Sequence, residues 1–366
     1  MVTDGEMKPT RPNRPITIFT PSFADDENTN AQNLTVKEIV ARLPPEQFRV
    51  IMISEGTPDP RIIARKNTKL LPYYKHGNMV QLLLRCLASS PDVYFYPRTG
   101  SLDQALFALR QKLRLRIAVV THIVMVMNDV TRKGLIARSI VEGDAVLANS
   151  AYVAETVRRR FGVQAGTIYN GIDRRFFFRQ EQPFSTNHVE RLTVLYAGSF
   201  QPRKRVEFVI QMAARWPNVM FRLAGRGETE TSCHALAARL KCRNVDFLGH
   251  KSLAELGEEM RRAHVFLFPS VLEGHPQVLG QAAACGLPVV AMNVYHPEYV
   301  LHGETGFLAE SDPEMAQQLD VLLRDSTMRR SMASAAVRHS QKFDWDRVTE
   351  QWVGVFQGVV AQRQRP

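Results

Sequence analysis

Residues 269–290 read PSVLEGHPQVLGQAAACGLPVV. Two short apolar segments, Val265–Phe268 just before this stretch and Pro288–Ala291 at its end, have the composition of buried strands, and a helix-forming run lies between them. A carboxylate, Glu273, precedes a small bent turn that contains Pro276. A helix that starts directly after a strand presents N–H groups with no partner inside the helix, together with the positive end of its dipole. Gly274, His275, Pro276, Gln277 and Val278 are therefore expected to seat a phosphate. Glu273, just upstream, is placed to accept hydrogen bonds from the hydroxyls of a ligand.

Working outward, the same alternation of apolar run and helical segment fills the second half, with strands expected at Leu192–Ala197, Met220–Ala224 and Val245–Leu248. The first half repeats it at Ile16–Thr20, Arg49–Ser54, Val93–Tyr96, Ile117–Thr121 and Asp144–Ala148. The last of these runs into Asn149 and Ser150, which cap a helix carrying Val153, Val157 and Phe161 on one face. The pattern is α/β: two doubly wound parallel sheets in series, with ligands expected in a cleft at their carboxyl edges. A polar stretch without period, RQEQPFSTNHVER at 179–191, separates the halves. The expected division is a flexible lead-in at 1–14, a first Rossmann-like domain at 15–180, a linker at 181–191, a second Rossmann-like domain at 192–345 and a terminal helix at 346–366. Trp345, Val348, Trp352, Val353, Phe356 and Val360 recur at helical spacing in that tail, which is the signature of core packing.

The second half offers three more strand-end loops. Gly198 and Ser199 open a loop that brings Arg203 and Lys204 to the carboxyl end of its first strand, where two cations can neutralise a diphosphate. Gly225 and Gly227 follow the next strand, and Leu248 and Gly249 end the one after. A lone Gly-x-Gly serves any tight turn, so its force comes from its place between the Lys204 and Glu273 loops.

These segments together resemble the family 4 retaining glycosyltransferases of GT-B architecture, whose signature is a Glu, seven residues and a second Glu. Here Glu273 holds the first position and Gln281 the second. The resemblance implies that Glu273 contacts the donor sugar and Gln281 the nucleotide ribose, with a neutral amide in place of a stronger carboxylate acceptor. It also implies that Lys204 and Arg203 bind the diphosphate, although relatives often carry Arg directly after the glycine where this chain has Ser199. Gly225 and Gly227 are implied to keep backbone near the nucleotide, and Leu248 and Gly249 to lie near the base. His122 matches a histidine that relatives place beside the donor sugar, against the ordinary reading of a core histidine. The C-terminal helix is implied to cross back to the first domain.

The composition sets bounds. A chain of 366 residues with 45% hydrophobic content is long enough for two cores. Its apolar runs fall well short of the roughly 18 residues that span a bilayer. The opening MVTDGEMKPTRPNRP has no apolar core of a secretory signal, so a cytoplasmic protein is expected, with peripheral contact at the inner membrane face as one option. Cys86, Cys233, Cys242 and Cys285 lack the spacing of a zinc site or disulfide framework. The net charge is +11, and residues 61–128 carry Arg61, Arg65, Lys66, Lys69, Lys75, Arg85, Arg98, Arg110, Lys112, Arg114 and Arg116 against Asp92 and Asp103. That field attracts anionic headgroups or phosphorylated acceptors, or else is a solvated basic face. No nucleic-acid motif accompanies it. Asp25, Asp26 and Glu27 read as a solvated acidic turn rather than a metal site.

The expected function is metal-independent transfer of a sugar, with retention, from a nucleoside diphosphate sugar to a hydroxyl acceptor such as an anionic or lipid-linked glycan or a secondary metabolite. No cofactor is expected. Two enzymatic alternatives share the architecture, a nucleotide-sugar epimerase and a sugar phosphorylase. The Gln281 and Ser199 departures also leave open a non-catalytic carbohydrate-binding subunit.

Overall fold

The computed structural model describes residues 14–26, 31–73, 79–96, 101–124, 140–180 and 191–364. Among them the first half forms strands β1 (Ile16–Phe23), β2 (Phe48–Ser54), β3 (Thr68–Pro72), β4 (Val93–Phe95), β5 (Ala118–Ile123), β6 (Ala145–Ala148) and β7 (Gly166–Thr167). They make one sheet in the order β3-β2-β1-β4-β5-β6-β7, parallel throughout. The second half forms β8 (Thr193–Ala197), β9 (Met220–Ala224), β10 (Val245–Gly249), β11 (Val265–Phe268), β12 (Val289–Met292) and β13 (Gly306–Ala309). Their order is β10-β9-β8-β11-β12-β13, again parallel. Parallel neighbours need long crossovers, and the intervening helices supply them. In each sheet the winding reverses beside the first strand, at β1/β4 and at β8/β11, and that switch point is where such sheets bind ligands.

Burial explains which strands the sequence announces. All residues of β11 and β12 are buried, as are Val194, Leu195, Tyr196 and Ala197 of β8, so these strands read as continuous apolar runs covered on both faces. Edge strands β3 (TKLLP) and β13 (GFLA) are partly exposed and carry Lys69, Pro72 and Gly306, which mask their signal.

The described residues gather into two compact units. One comprises the chain up to 148 with 154–168 and 349 onward, and the other comprises 149–153 with 169–348. The sequence reading places the divide at 181–191, of which 181–190 lie outside the described residues, as do 1–13 of the lead-in. The chain joins the second unit earlier because Ile172 and Phe177 are buried in that unit's core and the Ile172 N–H donates to the Phe343 carbonyl at 2.7 Å. The terminal helix, Trp345–Gln364, belongs to the first unit from Thr349. Its Trp352 is 1% exposed and packs edge-on against Phe95 at 5.1 Å and beside Phe356 at 5.8 Å.

Two polar residues of the first unit are buried. Asp25 is buried, not solvated: its carboxylate accepts from the Ser54 hydroxyl at 2.6 Å and from the N–H groups of Glu55 and Gly56 at 3.0 and 2.9 Å. Burial pushes its pKa up, but those hydrogen bonds outweigh it and hold the carboxyl below its ordinary value. Asp26 is exposed, and Glu27 lies outside the described residues. His122, on β5, is 4% exposed between the rings of Tyr96 at 5.4 Å and Trp352 at 5.0 Å. Burial lowers its pKa to about 4, so the ring is neutral at physiological pH.

Trp352→Ala is expected to cost about 4 kcal/mol of stability by opening a cavity under β4 and β5, read as a lower urea midpoint. The pH dependence follows from His122. An unfolded histidine protonates near 6.5 and the buried ring only near 4. Between those values the unfolded chain binds more protons, so stability falls as pH drops, by up to about 3 kcal/mol. His122→Phe should flatten that fall in urea midpoints taken across the window; a slope equal to wild type would refute the assignment.

Candidate functional site

The residues singled out in the second half converge on the carboxyl edge of its sheet. After β8 the chain makes a short 3-10 turn, Pro202–Lys204, and then Arg205 adopts a left-handed conformation with φ of 53° before helix Val206–Arg215 begins. A left-handed arginine is a strained choice, and it closes the turn that carries Arg203 and Lys204, its N–H bonded to the Pro202 carbonyl. The loop after β11 is stitched to this turn. The Val271 N–H donates to the Arg203 carbonyl at 3.0 Å, and the Arg203 guanidinium donates to the Leu272 carbonyl at 2.7 Å.

Glu273 is the hub. Its Oε1 accepts from Lys204 Nζ at 2.6 Å, from Arg203 Nη1 at 2.8 Å and from the Ser270 hydroxyl at 2.5 Å. Its Oε2 takes no hydrogen bond from the described residues. Lys204 and Glu273 are each 8% exposed, and the lysine ammonium also sits over the Phe268 ring at 4.8 Å. Burial pulls the Lys204 pKa below its ordinary value, and the charge of Glu273 works against that pull. Two cations face one carboxylate, so the cluster keeps a positive charge suited to an anion.

The glycine loops lie beside this cluster. A Cβ on Gly225 would fall 1.9 Å from the Gly198 carbonyl oxygen, and one on Gly227 would fall 2.3 Å from that of Phe200. Only glycine lets the loop after β9 lie against the loop after β8. The Gly225 N–H in turn donates to the Gly249 carbonyl at 2.8 Å, which ties in the end of β10, where Leu248 also sits. Arg226 extends its guanidinium across Gly249 and adds a cation that the sequence reading passed over. Ser199 is exposed, and its carbonyl accepts from the Tyr196 hydroxyl at 3.2 Å.

Helix Gln277–Ala284 starts directly after Pro276. Gly274 and Pro276 are buried, and Gln277 and Val278 are half-buried. His275 differs from the rest of this stretch. Its side chain is fully enclosed, stacked on Tyr299 at 3.9 Å and flanked by Tyr169 and Phe343. Whatever His275 offers a ligand comes from its main chain. Gln281 is half-buried in the same helix, and its amide makes no hydrogen bond to the described residues. His122 belongs to the other unit. Ser270 and Arg205 were missed because neither a serine nor a third basic residue in a row stands out without the loop geometry.

Among the described residues no group of three or more His, Cys, Asp or Glu is arranged to hold a metal, and no helix is long and apolar enough to cross a membrane. Cys86, Cys233 and Cys285 are buried, and burial pushes the Cys285 thiol up to about 12. In the first unit the basic field is partly consumed by structure: Arg61 pairs with Glu38 and Asp59, Arg110 pairs with Asp144, and Arg65 is buried against the carbonyls of Leu43 and Phe48. Lys66, Lys69, Arg85, Lys112, Arg114 and Arg116 are exposed. Lys75 and Arg98 lie outside the described residues.

Comparison with known proteins matches this geometry to sequence families. The family described as Glycosyltransferase Family 4 matches residues 32–176, and that described as Glycosyl transferases group 1 matches residues 178–339. N-acetyl-alpha-D-glucosaminyl L-malate synthase of Bacillus anthracis is 27% identical over 277 residues, covering 69% of this chain and 71% of its own. D-inositol 3-phosphate glycosyltransferase of Kribbella flavida is 30% identical over 227 residues, covering 56% of this chain and 54% of its own. Among solved structures, Anabaena HepE in complex with UDP superposes with a TM-score of 0.77 at 18% identity, covering 94% of this chain and all of that one, which speaks for the fold alone. Two family matches that meet at residues 176–178, over two Rossmann-like parallel sheets, make this chain a member of the family 4 glycosyltransferases with the GT-B fold.

Proposed function

We propose that the chain is a retaining glycosyltransferase that moves a sugar from a nucleoside diphosphate sugar to a hydroxyl acceptor without a metal. The observation that carries this reading is the cluster of Arg203, Lys204 and Ser270 on one oxygen of Glu273, at the switch point of the second sheet. A diphosphate competes with Glu273 for the two cations and also meets the first N–H groups of helix Gln277–Ala284. Glu273 then turns to the hydroxyls of the attached sugar, with Oε2 already uncommitted. As the anomeric carbon–phosphate bond breaks, Lys204 and Arg203 hold the charge that grows on the leaving diphosphate. The acceptor oxygen bonds to the anomeric carbon on the same face, and its proton passes to the departing phosphate oxygen. No protein nucleophile is needed.

The acceptor side of the reading is an anionic hydroxyl compound. Two of the relatives are named for L-malate and D-inositol 3-phosphate, both negatively charged, and the exposed cations of the first unit are of the opposite, complementary sign. Exposed Val80, Leu84 and Leu113, at 66%, 59% and 60%, accompany Arg85, Lys112, Arg114 and Arg116 on the same unit and also support peripheral contact with anionic lipid.

A thermal-shift panel of UDP, GDP and ADP with their sugars tests the donor site, since a ligand at a hundredfold excess over its Kd adds about 2.7 kcal/mol. Lys204→Ala is expected to abolish the shift from the bare diphosphate. Glu273→Gln should weaken the intact donor about tenfold while binding of the bare diphosphate holds or rises, because both cations are released. An unchanged response in both variants would mean the site is misplaced. For the lipid contact, the protein should sediment with phosphatidylglycerol vesicles and not with phosphatidylcholine vesicles, and Arg114→Glu with Arg116→Glu should abolish the difference.

A further inference from the structure

Loops that leave neighbouring parallel strands emerge side by side at the carboxyl edge of a sheet. Strands β11 and β12 are such neighbours, with Phe268 opposite Ala291, and they deliver Glu273 and Tyr295 to the same edge. Tyr295 is 1% exposed, and its phenol oxygen finds no hydrogen-bond partner among the described residues. Buried hydroxyls are nearly always paired, and a phenylalanine would fill this volume without leaving a donor unmet. Across the edge, the three bonds that hold Glu273 all go to Oε1 and leave Oε2 without a hydrogen bond from the described residues. A buried donor without a partner and a carboxylate oxygen open to a new donor therefore sit in adjacent loops. Gln277 Nε2, at the first residue of helix Gln277–Ala284, is a second buried donor without a partner at this edge.

We propose that Tyr295 is a positioning residue for Glu273: once the donor's diphosphate draws Lys204 and Arg203 away, the phenol takes over the carboxylate and holds it toward the sugar. The inference rests on the nucleotide-sugar reading above. Burial raises the Tyr295 pKa well above its ordinary value and the charge of Glu273 raises it further, so the phenol stays a donor throughout the physiological range. In the ligand-free chain Glu273 has Ser270 and two cations, and the phenol is idle. In the bound chain Glu273 loses the cations, and a neutral donor replaces them without competing for phosphate.

Tyr295→Phe keeps the ring and removes only the hydroxyl. The measurements are the melting temperature of the free protein and its affinities for UDP-glucose, UDP-N-acetylglucosamine, GDP-mannose and the bare diphosphates. Expected are a variant no less stable than wild type, a loss of bare-diphosphate binding well below that of the intact donor, and roughly tenfold weaker binding of whichever intact donor the wild type binds. In a Glu273→Ala background the same substitution should cost nothing further, because the acceptor it acts through is gone. Wild-type affinity for the intact donor in Tyr295→Phe, or an equal loss in both backgrounds, overturns the role of Tyr295 and leaves the donor site standing. Absence of any donor or diphosphate binding by the wild type overturns both.

Discussion

One carboxylate oxygen organises the second half of this protein. Oε1 of Glu273 draws in a lysine, an arginine and a serine hydroxyl from two loops that are far apart in sequence and adjacent in the sheet. Charges this well buried cost desolvation energy that their mutual attraction barely returns, so such a cluster is poor value as a device for stability. Its asymmetry is more telling. Two cations on one anion, with the second carboxylate oxygen left out, form an arrangement that a more negative ligand can take over. The Phe268 face under Lys204 gives the ammonium a second contact besides Glu273.

The fold supports this cluster through backbone choices that carry a cost. Arg205 accepts a left-handed conformation where the turn carrying Arg203 and Lys204 meets the next helix, and its guanidinium is tied to Asp312. Gly225 and Gly227 give up side chains so that three strand-end loops can lie against one another. Strain and close approach at one place, with neighbouring strands packed as continuous apolar runs, are what a preorganised site demands. The rigid part is the sheet, and the adjustable part is who holds Glu273.

Much of this was legible in the sequence, for a physical reason: strands buried on both faces are written as unbroken apolar runs, so β8, β9, β11 and β12 and the loops after them stood out. The exposed edges β3 and β13 did not, because half their residues answer to solvent. The polar stretch at 179–191 drew the domain divide toward itself, whereas Ile172 and Phe177 had already committed the chain to the second core. Side-chain direction was the other thing hidden. His275 lies in the middle of the signature, yet its ring belongs to the packing of Tyr299 and Phe343, and no one-dimensional pattern distinguishes a ring turned inward from one turned toward a ligand. Charge was overcounted for the same reason, since Arg61, Arg65 and Arg110 spend their charge on internal partners.

The two sheets have the same winding order through their first strands, and the polar groups at their carboxyl edges separate their roles. At the first edge the charges close on themselves: Asp25 is filled by Ser54, Glu55 and Gly56, Lys37 donates to the Asp25 carbonyl at 2.8 Å, and Arg61 bridges Asp59 and Glu38. These charges are spent internally and rigidify the edge, and what stays unpaired there is uncharged: the Ser22 hydroxyl and the ring nitrogens of the neutral His122. At the second edge the Glu273 Oε2, the Gln281 amide, the Gln277 amide and the Tyr295 phenol are all left over after the internal bonds are made. Leftover donors and acceptors next to a surplus of positive charge describe a ligand that is anionic at one end and rich in hydroxyls at the other. A sugar joined to a diphosphate, the donor proposed above, has that chemistry, and it is the second edge, where unpaired groups stand beside surplus positive charge, that suits it.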